Sequence, residues 1–235
     1  MLSRTSFTLL LIGLMVSEFL IGDVSGAPPG RNVNEKDMYG ETALHRAAFA
    51  GKVKEAEDLI TEGADPNIGN NFNETALHYA AKKGHKSVAE LLIRKGANLD
   101  SETITKETPL HCAAAHGHGS VADVLLKNGA NANIGNDLNT TALHLAADYG
   151  HKSVAELLIH KGANVDSETN RKETPLHNAA AHGQKSVAEL LIHKGANVDS
   201  ETNRKQTPLH YAAAHGNFEY FFRVLCALVL LSSKH

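Results

Sequence analysis

Thr75-Ala76-Leu77-His78-Tyr79-Ala80-Ala81-Lys82-Lys83-Gly84-His85-Lys86-Ser87-Val88-Ala89-Glu90-Leu91-Leu92-Ile93 holds two short helical signals parted by one glycine. The same design recurs along the chain. The motif Thr-x-Leu-His stands at 42–45, 75–78, 108–111, 141–144, 174–177 and 207–210, at a constant period of 33 residues. A glycine lies nine residues after each Thr, and a second one, followed by Ala, comes later in five of the six copies (Gly63, Gly96, Gly129, Gly162, Gly195). Each Thr suits an N-cap, with its hydroxyl taking an orphan backbone N–H. Pro109, Pro175 and Pro208 sit at the first helical position, where a missing N–H costs nothing. Alanine pairs such as Ala47-Ala48 and Ala80-Ala81 keep this first helix thin, and the glycine ends it.

In the second helix Val88, Leu91 and Leu92 fall at i, i+3 and i+4 and form one apolar face. A helix pair of this size cannot bury that face alone, so neighbouring copies must stack. The polar, turn-rich segments between copies, such as 97–107, then project as hairpins.

These motifs resemble the ankyrin-repeat family over 37–217, with copies beginning near 37, 70, 103, 136, 169 and 202. The resemblance implies a mainly α fold, a solenoid of helix-turn-helix units joined by β-hairpin loops. It also implies that the motif histidines bond locally and between repeats. The ends depart from the pattern: the first copy has Glu55 and Asp58 where the second has Val88 and Leu91, which suits a polar outer cap. After Asn217 the pattern gives way to an apolar tail, 218–235, with no terminal Gly-Ala-Asn. Such a tail completes or replaces the last helix, and it must fold back, pair with another chain, meet a membrane or reflect a truncated or altered reading of a longer gene.

Outside the repeats, Arg4 precedes the apolar stretch 7–16 and the chain then reaches Val24-Ser25-Gly26-Ala27. That layout is expected of a secretory signal over 1–26 cleaved before Ala27, followed by a linker over 27–36. The competing reading is an uncleaved anchor, which Glu18 weakens. With only Cys112 and Cys226 in 235 residues, stability is expected from packing rather than from a disulfide framework. The register places these two cysteines about three stacking intervals of ~8–10 Å apart, too far to bridge within a monomer.

The formal charge of -3, with both signs interspersed, gives no basic stripe, so nucleic acid is not an expected partner. After the first 22 residues no apolar run reaches the roughly 20 residues of a membrane span, so membrane contact is expected only from the signal or the tail. Six of the 15 histidines belong to the repeat motif, and their recurrence argues for scaffolding. His116, His182 and His215 share one repeat position, but stacked repeats ~8–10 Å apart hold ligands too far from one ion with bonds of ~2 Å, so no metal and no cofactor is expected. There is no phosphate loop, dinucleotide fingerprint, His-Glu-x-x-His or Gly-x-Ser-x-Gly, and Gly119-Ser120 beside His116 and His118 lacks an orienting acid. An enzyme is not expected.

Two copies end in Asn-Ile-Gly-Asn and three in Asp-Ser-Glu-Thr, and block 151–183 matches 184–216 at 30 of 33 positions, differing at His151/Gln184, Glu173/Gln206 and Asn178/Tyr211. The first kind of hairpin creates the sequons at Asn73 and Asn139, which are candidate glycosylation sites if the protein is secreted. The competing role for both is a tight-turn residue, where the first copy uses Gly40.

From the family resemblance, the hairpin tips and the exposed side of the first helix form the binding surface. It comprises Met38, Tyr39, Phe72, Ile104 and Leu138, then Arg171 and Arg204, with Phe49, Lys82, Lys83, His116, Asp148, Tyr149, His182 and His215 on the helix side. The function expected first is a secreted, non-catalytic protein-binding module, of the kind a venom or parasite effector would be. An intracellular, cytoplasmic regulator resembling the ankyrin inhibitors of transcription factors is the second reading. A fragment of a membrane-active, ankyrin-rich toxin, supported by the tail alone, is the third.

Overall fold

The computed structural model describes residues 32–217, so the signal, most of the linker, Cys226 and the tail lie outside the described residues. Among the described residues the chain forms five helix pairs and one final inner helix, with no strand. The inner helices are α1 (Ala43–Phe49), α3 (Ala76–Lys83), α5 (Pro109–Ala115), α7 (Ala142–Asp148), α9 (Pro175–Ala181) and α11 (Pro208–Ala214). The outer helices are α2 (Val53–Thr61), α4 (Lys86–Arg94), α6 (Gly119–Lys127), α8 (Lys152–His160) and α10 (Lys185–His193). Inner helices pack on the inner helices of adjacent repeats and outer on outer. No helix among the described residues is long and apolar enough to cross a membrane.

None of these helices exceeds nine residues, which is too short to persist alone in water. Stacking holds them. Leu44, Leu77, Leu110, Leu143 and Leu176 each stand at the same repeat position and are buried, as are Val88, Leu92, Val121, Leu125, Val154 and Leu158 on the outer helices. In the first copy, only Ala56 and Leu59 of α2 are buried, as its polar substitutions predict.

The Thr-x-Leu-His motif closes each inner helix at its start and ties it to the next repeat. The Thr42 backbone N–H donates to His45 Nδ1 at 3.1 Å, with the Thr42 hydroxyl 2.9 Å from the same nitrogen. His45 thereby takes the part that Glu or Gln plays in an ordinary capping box. Its Nε2 lies 2.9 Å from the Glu74 carbonyl of the following repeat. The pattern continues from His78 to Glu107, His111 to Thr140, His144 to Glu173 and His177 to Gln206, at 2.9–3.1 Å. A carbonyl only accepts and a backbone N–H only donates, so each ring must be neutral with its proton on Nε2. Burial enforces the same state, holding His78 and His144 down to about 4.

The connecting hairpins are closed turns too short for a strand ladder. In the tip at 70–74, Asn70 N–H donates to the Glu74 carbonyl and Asn73 N–H returns to the Asn70 carbonyl, both at 2.9 Å. One isolated bridge, Gly135 to Thr141, is the only β pairing among the described residues. The array also reaches further back than Asp37. Asn34 donates to the Gly63 carbonyl at 3.2 Å and accepts from Asp65 N–H at 2.9 Å, the bonds that Asn67 makes with Gly96 and Asn98 one repeat later.

Cys112 is a buried free thiol on α5, and burial pushes it up to about 12. Since the thiolate is the reacting species, native Cys112 should alkylate about a thousandfold more slowly at mildly alkaline pH than an ordinary exposed thiol. Peptide-resolved labelling with iodoacetamide, before and after unfolding in urea, measures this. Rapid labelling of the native protein at Cys112 would refute the close stacking of α5.

Candidate protein-binding surface

Successive tips are laced by single backbone hydrogen bonds, from Asn71 N–H to the Tyr39 carbonyl, Ile104 to Phe72, Asp137 to Thr105, Asn170 to Leu138 and Asn203 to Arg171, all at 2.9–3.1 Å. This lacing sets one register. Tyr39, Phe72, Thr105, Leu138, Arg171 and Arg204 occupy one position from tip to tip, so a single column changes from aromatic to cationic along the array. Met38 and Ile104 belong to the adjacent column.

Met38, Tyr39, Phe72, Ile104 and Leu138 on the tips, and Phe49 and Tyr149 at the ends of inner helices, are all well exposed. They are the large apolar side chains so exposed among the described residues, and each is a residue that the family resemblance assigned to the surface. Phe49 meets Tyr79 edge-on at 5.8 Å, and Lys83 places its ammonium 4.4 Å from the Phe49 ring centroid. Lys82 faces Glu74 at 3.7 Å. This end of the surface is therefore an aromatic patch edged by two lysines.

The histidines on the helix side share one repeat position, which Tyr149 interrupts. His116, Tyr149, His182 and His215 follow one another at the same repeat position, and each finds a local partner. His116 Nδ1 lies 3.0 Å from the Cys112 carbonyl and its ring stacks on His118. His182 Nδ1 lies 2.8 Å from Asp148 Oδ1, which also accepts from Asn178 Nδ2 at 3.3 Å. His215 lies beside the Tyr211 carbonyl. No group of metal-ligating side chains gathers among the described residues.

Asn73 and Asn139 both adopt the left-handed backbone, with φ of 60° and 58°, as do Gly40, Lys106, Lys172 and Lys205 at the same position. Their Nδ2 atoms donate to the Glu102 and Glu168 carbonyls of the next repeat. The nitrogen that would carry a glycan is thus engaged in holding two tips together.

Two sets of residues escaped the sequence reading. The first is a latch behind the inner helices: His85, His118, His151, Gln184 and Asn217 each reach back to a carbonyl of the preceding repeat, at Phe49, Lys82, Ala115, Asp148 and Ala181, at 3.0–3.2 Å. The second is a buttress under the tip column. Tyr79 donates its hydroxyl to Glu41 Oε1 at 2.5 Å, and four repeats later Tyr211 does the same to Glu173 Oε1 at 2.6 Å. Burial raises both phenols, Tyr211 to about 12, so both hydroxyls keep their protons and donate. The available signal was the residue after the motif His, which is Tyr in these two copies only.

A family model described as ankyrin repeats (3 copies) matches at residues 14–103, 44–136, 100–169 and 162–228. The crystal structure of the human ASB11 ankyrin repeat domain is similar to this chain with a TM-score of 0.72 at 29% identity, covering 78% of this chain and 84% of that one. No curated protein matches the sequence.

Proposed function

The chain belongs to the ankyrin-repeat family, whose fold is a protein-interaction scaffold, and on that premise we propose that it is a secreted, non-catalytic module that binds its protein partner chiefly through the aromatic end of the tip column. The observation that carries this reading is the distribution of exposed apolar surface. The well-exposed large apolar side chains stand on tips and inner-helix ends, while the outer helices turn their Val and Leu residues inward. Water-exposed aromatics gathered on one rigid surface are the usual anchors of protein recognition. Secretion is supported by the Arg4, 7–16 and Val24-Ser25-Gly26 layout.

Two experiments bear on this reading. Mass spectrometry of protein recovered from the medium of expressing cells should find a mature N-terminus at Ala27. Soluble intracellular protein beginning at Met1 would turn the assignment to the cytoplasmic regulator.

Against a partner recovered with the secreted protein, Tyr39→Ala/Phe72→Ala should weaken binding by ~2 kcal/mol or more, the usual cost of truncating a central anchor. Arg171→Ala/Arg204→Ala should have an effect that fades as salt rises, because exposed charges are screened. Circular dichroism confirms that both variants stay folded. Unchanged affinity of the aromatic double variant would eliminate the tip assignment.

A further inference from the structure

At the C-terminal end of the tip column lies a cavity of about 320 Å3 lined by Arg171, Glu173, Thr202, Asn203, Arg204 and Tyr211. We propose that this cavity receives a single carboxylate, an Asp or Glu side chain of the protein partner, between the guanidinium groups of Arg171 and Arg204. The proposal rests on the binding reading above and names the chemistry of one end of that surface.

The walls are held by short-range bonds that leave the arginine heads uncommitted. Arg171 N–H donates to Thr169 Oγ1 and Arg204 N–H to Thr202 Oγ1, both at 3.3 Å, while the Arg171 carbonyl accepts from Asn203 N–H at 3.0 Å. The two backbones are thereby fixed one repeat apart. Among the described residues neither guanidinium has a hydrogen-bond or ion-pair partner, and both arginines are exposed. Glu173, the one carboxylate in the lining, accepts a hydrogen bond from the Tyr211 hydroxyl.

Charge selects the ligand. Two arginines and one glutamate leave a net charge of +1 in the cavity, which one carboxylate neutralises and a phosphoryl dianion would overcompensate. A planar guanidinium also matches a carboxylate with two parallel N–H bonds.

The same framework elsewhere carries a different lining. Four repeats earlier the Glu41–Tyr79 buttress stands under Tyr39 and Phe72, at the positions that Arg171 and Arg204 fill here. One scaffold thus presents apolar walls at one end and cationic walls at the other. A partner spanning both would carry an apolar group and an acidic one four stacking intervals of ~8–10 Å apart.

The test uses the mature protein and a fluorescein-labelled peptide of alternating Glu and Gly, followed by anisotropy at low salt. Arg171→Gln/Arg204→Gln should lower its affinity about tenfold, the scale of one charge-assisted bond. Lys54→Gln/Lys161→Gln, which removes the same charge from exposed sites outside the cavity, should change it by less than about twofold, as expected for screened surface charge. N-acetylglutamate α-amide, which carries one side-chain carboxylate, should displace the peptide better than inorganic phosphate at equal concentration. Equal losses in the two double variants would show general charge attraction and overturn the site, and stronger displacement by phosphate would overturn the carboxylate assignment. Either failure would leave the Tyr39 and Phe72 result untouched, since those residues stand at the other end of the column.

Discussion

Gly84→Ala should destabilise the array by roughly 2–4 kcal/mol, and Gly96→Ala by only about 1–2. Both glycines have left-handed backbones, φ 74° and 86°, so the conformational cost of a side chain is shared. What differs is the neighbour. A Cβ on Gly84 would lie 2.5 Å from His118 Nδ1, whereas one on Gly96 would meet nothing within 4 Å. The His118 ring must then move, and its bond to the Lys82 carbonyl at 3.2 Å is lost between two repeats. Urea unfolding followed by circular dichroism measures both losses. In Gly84→Ala/His118→Ala the clash is gone, so the added cost of Gly84→Ala should fall to the conformational part, a coupling that a double-mutant cycle reads directly. Equal destabilisation by Gly84→Ala and Gly96→Ala would contradict the latch.

Acid should begin to destabilise the array before its carboxylates protonate. In the folded chain the His78 and His144 rings stay neutral down to about 4, because burial opposes the charge and Nδ1 is already accepting the capping N–H. In the unfolded chain each takes a proton near 6.5. Between those values the unfolded state binds more protons, so stability is full above about pH 6.5 and is lost as pH falls toward about 4. The gap corresponds to roughly 3 kcal/mol for each of the two rings at the acid limit. Burial also lowers His45, His111 and His177, which adds loss in the same direction. The urea midpoint should therefore drop between about pH 7 and about pH 5, before carboxylates of ordinary pKa contribute much. In His78→Gln/His144→Gln the protein should be weaker at neutral pH and its pH dependence shallower. A midpoint that holds constant over that interval would refute neutral burial of the motif histidines.

Why some of this was legible in advance follows from where each bond closes. The Thr42 to His45 box spans three residues, and the apolar face of Val88, Leu91 and Leu92 lies within one helical turn. Such local features leave a pattern in the chain that periodicity exposes. The latch and the buttress close across about one repeat, from His118 back to Lys82 and from Tyr211 back to Glu173. The latch keeps the 33-residue period, at 85, 118, 151, 184 and 217, but His, Gln and Asn all serve it, so no one residue type marks it. The three differences between blocks 151–183 and 184–216 illustrate the point. His151/Gln184 exchanges one latch for another, Asn178/Tyr211 installs the buttress under the arginine cavity, and Glu173/Gln206 confines its carboxylate to one repeat.

The sequence by itself determined the period, the helix starts and stops, the core leucines and the residues left to project, since each follows from capping, helical spacing and the need of a short amphipathic pair for neighbours. Only the tertiary structure decided how the tips are laced to one another, that the sequon nitrogens of Asn73 and Asn139 hold adjacent tips together, and that Arg171 and Arg204 wall one cavity over Glu173 and Tyr211. Those relations depend on how far each repeat is displaced and turned relative to the last, a quantity set by packing between helices and absent from any single stretch of chain.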